Sequence, residues 1–151
     1  MKKKIILDCD PGHDDAVAIM LAAASEKIKI LGLTCVAGNA TLKNTKINAL
    51  KICSLIKKTD IKIYSGAEKP LKYKLVTAAH VHGKSGLDIK GSPIKIADNY
   101  IIQNKNAVDF IIETCHKQKS KIYLCPTGPL TNIAQALQKD PSIANKINKI
   151  V

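Results

Sequence analysis

Arginine is absent from this chain: all 24 basic residues among its 151 are lysine. Tryptophan is absent as well, and the aromatic residues amount to Phe110 and four tyrosines. A dedicated nucleic-acid surface draws on arginine for bidentate contacts to bases and phosphates, and on aromatic platforms for stacking. These absences argue against such a surface despite a net charge of +12. Apart from the run Lys2–Lys4 the lysines are dispersed, as on a solvated basic surface. No apolar run approaches the ~20 residues that a membrane span needs. The start MKKKIIL imitates the first part of a secretion signal, but Asp8 and Asp10 follow closely on Ile5–Leu7. That leaves too short an apolar stretch for a signal peptide, and a cytoplasmic protein is expected. The five cysteines (Cys9, Cys35, Cys53, Cys115, Cys125) are scattered, with no Cys-x-x-Cys pair. Neither a disulfide framework nor a zinc cluster is indicated, and most of them read as small buried hydrophobes.

What is present is the composition of a globular domain, 46% hydrophobic and 24% charged. Apolar patterning alternates between strand and helix. Ile5–Leu7 reads as a buried strand, Asp15–Ala24 as a helix, Lys29–Ala37 as a strand and Thr41–Lys57 as an amphipathic helix. Ile61–Tyr64 is a short strand. From Ala67 to about Ser92 the periodicity is lost, which predicts a long loop of the kind that is often functional. Asn106–His116 resumes a helix, Lys121–Cys125 a strand and Leu130–Leu137 a helix, with a helical turn over Pro141–Ile147 and a last strand opening at Lys149–Val151. Strands separated by helices imply right-handed crossovers, hence an α/β fold: an open, mostly parallel sheet with helices on both faces. No linker or repeat divides residues 1–151, so a single domain is expected, with its pattern breaking off where a further strand is due.

The densest acidic feature of this basic chain is Asp8, Asp10, Asp14 and Asp15, set around the Pro11-Gly12 turn. Asp8 and Asp10 share one side of the first strand by its period of two, and Asp14 and Asp15 open the following helix. In open parallel sheets, ligands sit at the carboxyl ends of the strands, where this cluster falls. So many carboxylates stay ionised together only if a cation, or a helix N-terminus and solvent, offsets their charge. A lone Asp here would read as a helix cap. Four of them favour a hard-cation site, calcium or magnesium, with oxygen ligands.

The string Ile5–Asp15, IILDCDPGHDD, resembles the signature of the inosine–uridine preferring nucleoside hydrolases. Three further blocks agree in content and order: Val36-Ala37-Gly38-Asn39; His80-Val81-His82-Gly83 with Ser85-Gly86-Leu87-Asp88; and Pro126-Thr127-Gly128-Pro129-Leu130-Thr131-Asn132. The resemblance implies the same parallel-sheet fold, and hydrolysis of the N-glycosidic bond of ribonucleosides to free base and ribose by a calcium-bound water. It implies Asp10, Asp15 and the main-chain carbonyl of Thr127 as calcium ligands, with Asp10 also the general base. Asp14 and Asn39 match positions that bind ribose hydroxyls. His82 matches a histidine lining the active site near the base, and Asp8 has a supporting place in the signature.

Residue by residue, blander roles stand beside these. Asn39 after Gly38 suits a turn. His80 and His82 have the i, i+2 spacing of zinc ligands without an evident third ligand, and read alone as loop histidines. Thr127 suits the turn into a helix. Family members are longer, and the resemblance implies that their second half supplies another calcium-binding Asp, a ribose-binding Asn and an acidic His. This chain is therefore expected to be the N-terminal part of such an enzyme, either one piece of a two-chain enzyme or a fragment without turnover. Homo-oligomers are common among relatives. A haloacid-dehalogenase-like phosphotransferase shares Asp-x-Asp at its first strand, but expects Thr or Val where Gly12 stands.

Overall fold

A computed structural model describes residues 2–151. The elements run β1 (Lys3–Cys9), α1 (His13–Ala24), β2 (Ile28–Cys35), α2 (Leu42–Leu55), β3 (Ile63–Ser65) and α3 (Ala79–His82). They continue with β4 (Gln103–Asn106), α4 (Ala107–Lys117), β5 (Ile122–Pro126), α5 (Thr131–Lys139), a 3-10 segment (Pro141–Lys146) and β6 (Ile147–Ile150). Six strands form one sheet in the order β4-β3-β2-β1-β5-β6. Every pairing is parallel, so the expected α/β architecture is the one observed.

Alternation along the central strand builds a core on each face. Leu7 and Cys9 point toward α1 and α2, packing with Ile19, Leu33, Ala49, Ile52 and Ile63. Ile6 points to the other face, against Phe110 and Ile111 of α4, Leu124 of β5 and Ile133 of α5. Buried on both sides, β1 has no polar residue between Ile5 and Leu7, and its first carboxylate is Asp8. α1 starts at the residue after Gly12, with Asp14 and Asp15 in its first turn, where carboxylates favour the helix dipole.

Two parts of the chain depart from the sequence expectation. The segment expected as one long loop contains the short helix α3. Strand β4, Gln103–Asn106, was not expected at all: its residues are polar and mostly exposed, because it lies at the sheet edge and buries no face. Asn106 then caps α4, its side chain accepting from Val108 N at 2.8 Å.

The topology singles out one place on the sheet. From β1 the chain steps outward through β2, β3 and β4, then returns to lay β5 against the opposite side of β1. The switch point therefore lies between β1 and β5, and the crevice beyond their carboxyl ends is where such sheets bind ligands. Asp8 to Pro11 leave one strand there, and Thr127 to Pro129 leave the other.

Candidate functional site

A cavity of about 450 Å³ opens at this switch point. Asp10, Asp14, Asn39, Thr127 and His80 line it, together with the backbones of Gly38 and Gly128. Each of the four blocks read from the sequence thus contributes a residue to one place.

Asp10 is held on both sides by glycine backbone. A methyl group on Gly128 would stand 2.6 Å from Asp10 Oδ1, and one on Gly38 would collide with Oδ2. Asn39 donates its main-chain N–H to Asp10 Oδ2 at 2.6 Å, and its side-chain amide reaches the Asp10 carbonyl at 3.4 Å. Asn39 is thereby tied to the carboxylate as well as to the cavity wall. Burial pushes the Asp10 carboxyl up to about 7, with the Asn39 amide opposing and the Asp15 charge reinforcing.

Asp15 lies behind Asp10, buried in the first turn of α1. Its Oδ2 accepts the Asp10 main-chain N–H at 3.0 Å, while Oδ1 is buried with no hydrogen-bond partner. Burial raises its pKa too, the Thr127 hydroxyl partly offsetting that. An unpartnered buried carboxylate oxygen is costly in a protein interior, and here it sits beside a second carboxylate whose own pKa is raised. Those are the conditions a hard cation relieves. Among the described residues no three or more His, Cys, Asp or Glu side chains converge as a metal cluster, so part of any shell must come from other oxygens. The donor chemistry at hand, two carboxylates with hydroxyl and main-chain oxygens, fits a hard cation.

Asp8 lies deeper, 1% exposed, under the loops. Its Oδ1 accepts from the Thr34 hydroxyl and from Asn132 Nδ2 at 2.8 Å. Its carbonyl accepts Thr127 N at 2.8 Å and Gly128 N at 3.3 Å, which seats the β5 loop against the Asp10 loop. Burial raises the Asp8 carboxyl to about 6 against the pull of Asn132 and Thr34. Asn132 is fully buried at the start of α5. Its Nδ2 also donates to the Cys35 carbonyl at 3.1 Å, and its Oδ1 accepts Ala67 N at 2.8 Å. One side chain thus fastens β1, the end of β2 and the exit from β3.

The two histidines divide between cavity and flank. His80 lines the cavity. His82 packs its ring on Gly12, where an added methyl would stand 2.7 Å from Nδ1, and its Nε2 is 4.0 Å from Asp14 Oδ1. Thr34 was not singled out from the sequence, and Gly38, Gly128 and Asn132 stood in the quoted blocks without a role of their own. The spacing of a buried Asn or of two glycines says nothing until the strands are paired.

Known proteins resemble this chain over nearly its whole length. A sequence profile described as inosine-uridine preferring nucleoside hydrolase matches residues 5–151. The pyrimidine-specific ribonucleoside hydrolase RihB of Escherichia coli O1:K1 is 44% identical over 150 residues, covering 99% of this chain and 47% of that protein. RihB of Escherichia fergusonii matches with the same figures. A purine-preferring ribonucleoside hydrolase from Gardnerella vaginalis superposes with a TM-score of 0.89 at 36% identity, covering 99% of this chain and 48% of that one. A plant nucleoside hydrolase, PpNRh1, gives a TM-score of 0.90 at 32% identity, covering 100% of this chain and 47% of that one. The chain spans about half the length of the relatives it matches.

Proposed function

The chain belongs to the inosine–uridine preferring nucleoside hydrolase family, and from that premise we propose that residues 1–151 form the N-terminal part of a single hydrolase domain. Its site serves the cleavage of ribonucleosides to ribose and free base. The observation that carries this reading is the paired buried carboxylates of Asp10 and Asp15 at the β1–β5 switch point, one oxygen of Asp15 lacking any partner.

Asp10, Asp15 and the main-chain carbonyl of Thr127 would hold a calcium ion. When bound, the ion supplies positive charge that keeps both carboxylates ionised, fixes the ribose diol and acidifies a neighbouring water. Asp10 takes the proton of the attacking water, a role suited to an ionised carboxylate that lines the cavity. The water oxygen bonds to the anomeric carbon as the bond from that carbon to the base nitrogen breaks, its electron pair leaving with the base. Positive charge develops on the sugar as in glycosidases, and nearby carboxylates stabilise it. Asp14 and Asn39, on the cavity wall, take the ribose hydroxyls, while His82 stands at the flank of the base. Asp8 supports the loops from below.

The base preference is left to groups outside this half, consistent with one relative being named pyrimidine-specific and another purine-preferring. A second chain carrying the rest of the fold, or a homo-oligomer, is the proposed partner. Among the described residues no helix is long and apolar enough to cross a membrane, and no cysteine is paired. A reducing cytoplasm suits the free thiols.

The test is to incubate the chain with inosine, uridine or p-nitrophenyl riboside and Ca2+, with and without the second half of a relative. The two-chain reading expects release of base only from the pair. Release by the chain alone would show it is no mere fragment, and silence from a folded, calcium-loaded pair would remove the hydrolase assignment.

A further inference from the structure

His13 has no part in the chemistry above, yet it joins the first turn of α1 to the loop that follows α3. It is the first residue of α1, exposed, and immediately precedes Asp14 and Asp15. Its Nε2 lies 2.9 Å from the Asp88 carbonyl oxygen. A carbonyl only accepts, so the His13 Nε2 carries the hydrogen. Its ring stacks on that of His82, with centroids 5.5 Å apart, planes inclined by 23° and the two Nδ1 atoms 3.3 Å apart. The main-chain N–H of His13 points at His82 Nδ1 at 3.4 Å.

The segment that His13 grips is closed on itself. Asp88 N donates to the His82 carbonyl at 3.1 Å, and the Asp88 carboxylate accepts Lys84 N at 2.9 Å and Ser85 N at 3.2 Å. Gly83 and Gly86, at φ of 80° and 81°, permit the tight path. Beneath it, the buried amide of Asn48 donates to the carbonyls of both Pro11 and Ser85 at 3.0 Å. Residues 82–88 are therefore a compact loop fixed to Asn48 of α2 and to His13 at the start of α1.

We propose that His13 is a positioning residue, a latch that holds the 82–88 loop and the His82 ring against the first turn of α1. It acts on His82 through the loop and the ring stack, without itself touching substrate. The inference rests on the proposed function only in giving His82 a place beside the substrate.

The test uses the whole chain, 15N-labelled, with neither nucleoside nor cation, so its failure is separate from any failure of hydrolysis. In His13→Ala, the Gly86 and Asp88 amides are expected to exchange about ten-fold faster, the scale of one net hydrogen bond. Amides of β1 and α2 stay as in the parent. The His82 ring signals, which sense the stacked His13 ring in the parent, are expected to shift and broaden as the ring loses that neighbour. His13→Gln keeps a donor able to reach the Asp88 carbonyl and restores the protection. His13→Phe keeps the stack without the donor and does not. Unchanged Gly86 and Asp88 exchange or an unchanged His82 ring in His13→Ala would overturn the latch, and so would equal rescue by Phe and Gln.

Discussion

Replacing Asn132 by leucine is the substitution whose cost the structure defines most closely. The side chains match in number and branching of heavy atoms, so no cavity opens, and the main loss is that of polar partners. The amide makes three bonds: to Asp8 Oδ1 at 2.8 Å, to the Cys35 carbonyl at 3.1 Å and from Ala67 N at 2.8 Å. Ala67 is only half-buried and recovers water, but Asp8 and Cys35 are 1% and 0% exposed. Stranding the Cys35 carbonyl costs about 1–3 kcal/mol, and taking one donor from Asp8 Oδ1, which the Thr34 hydroxyl still serves, about 1.5–3 kcal/mol; less about 1 kcal/mol returned by the apolar side chain, the loss is about 3 kcal/mol. For a chain of this size that is roughly a 10 °C fall in Tm. Urea unfolding followed by circular dichroism, with the m-value checked for constancy, measures it directly. A loss below about 1 kcal/mol would refute the reasoning, because it would mean that the bonds at the strand ends are replaced at little cost.

Gly38→Ala drives a methyl group into the Asp10 carboxylate and to 2.8 Å from Pro129 Cδ. The expected stability cost is about 1–3 kcal/mol, with calcium binding by calorimetry reduced far more than stability. In Asp15→Asn the oxygen without a partner loses its charge, and affinity for Ca2+ or Tb3+ is expected to fall at least about ten-fold, as read by titration. Asp8 and Asp10 are raised from 3.8 to about 6 and about 7. A carboxyl whose pKa is raised on folding stabilises the fold below its unfolded value, and that stability is lost as pH rises through the folded value. The metal-free chain is therefore expected to lose stability between about pH 4 and 7, and Ca2+ to stabilise it more at pH 8 than at pH 5. Urea midpoints at the two pH values, with and without Ca2+, decide this; an equal calcium effect at both would contradict it.

The fold was legible in the sequence wherever a face is buried. β1, β2, α2 and α4 announce themselves because Leu7, Leu33, Ile52 and Ile111 must be covered, and their spacing gives the element away. β4 carries no such pattern, since Gln103–Asn106 pairs at the sheet edge through backbone alone. The same contrast holds in the site. Asp8, Asp10, Asp14 and Asp15 are conspicuous because clustered negative charge in a basic chain demands an explanation. Asn132 and Thr34 are ordinary polar residues until pairing places them on Asp8, more than twenty residues from one and more than a hundred from the other. His80 and His82 show what two-residue spacing leaves open: one lines the cavity and the other packs on Gly12, and only the turn of α3 separates those fates.

The most direct measurement is the rate of uracil release from uridine, with saturating Ca2+, by this chain paired with the second half of a relative. The parent pair is expected to release base, and Asp10→Asn to lower kcat by about 10²–10⁴, the range for loss of a general base. A pair that binds calcium and nucleoside but turns over equally with Asp10→Asn, or not at all with Asp10 intact, would contradict the assignment of the β1–β5 crevice as half of a nucleoside hydrolase site.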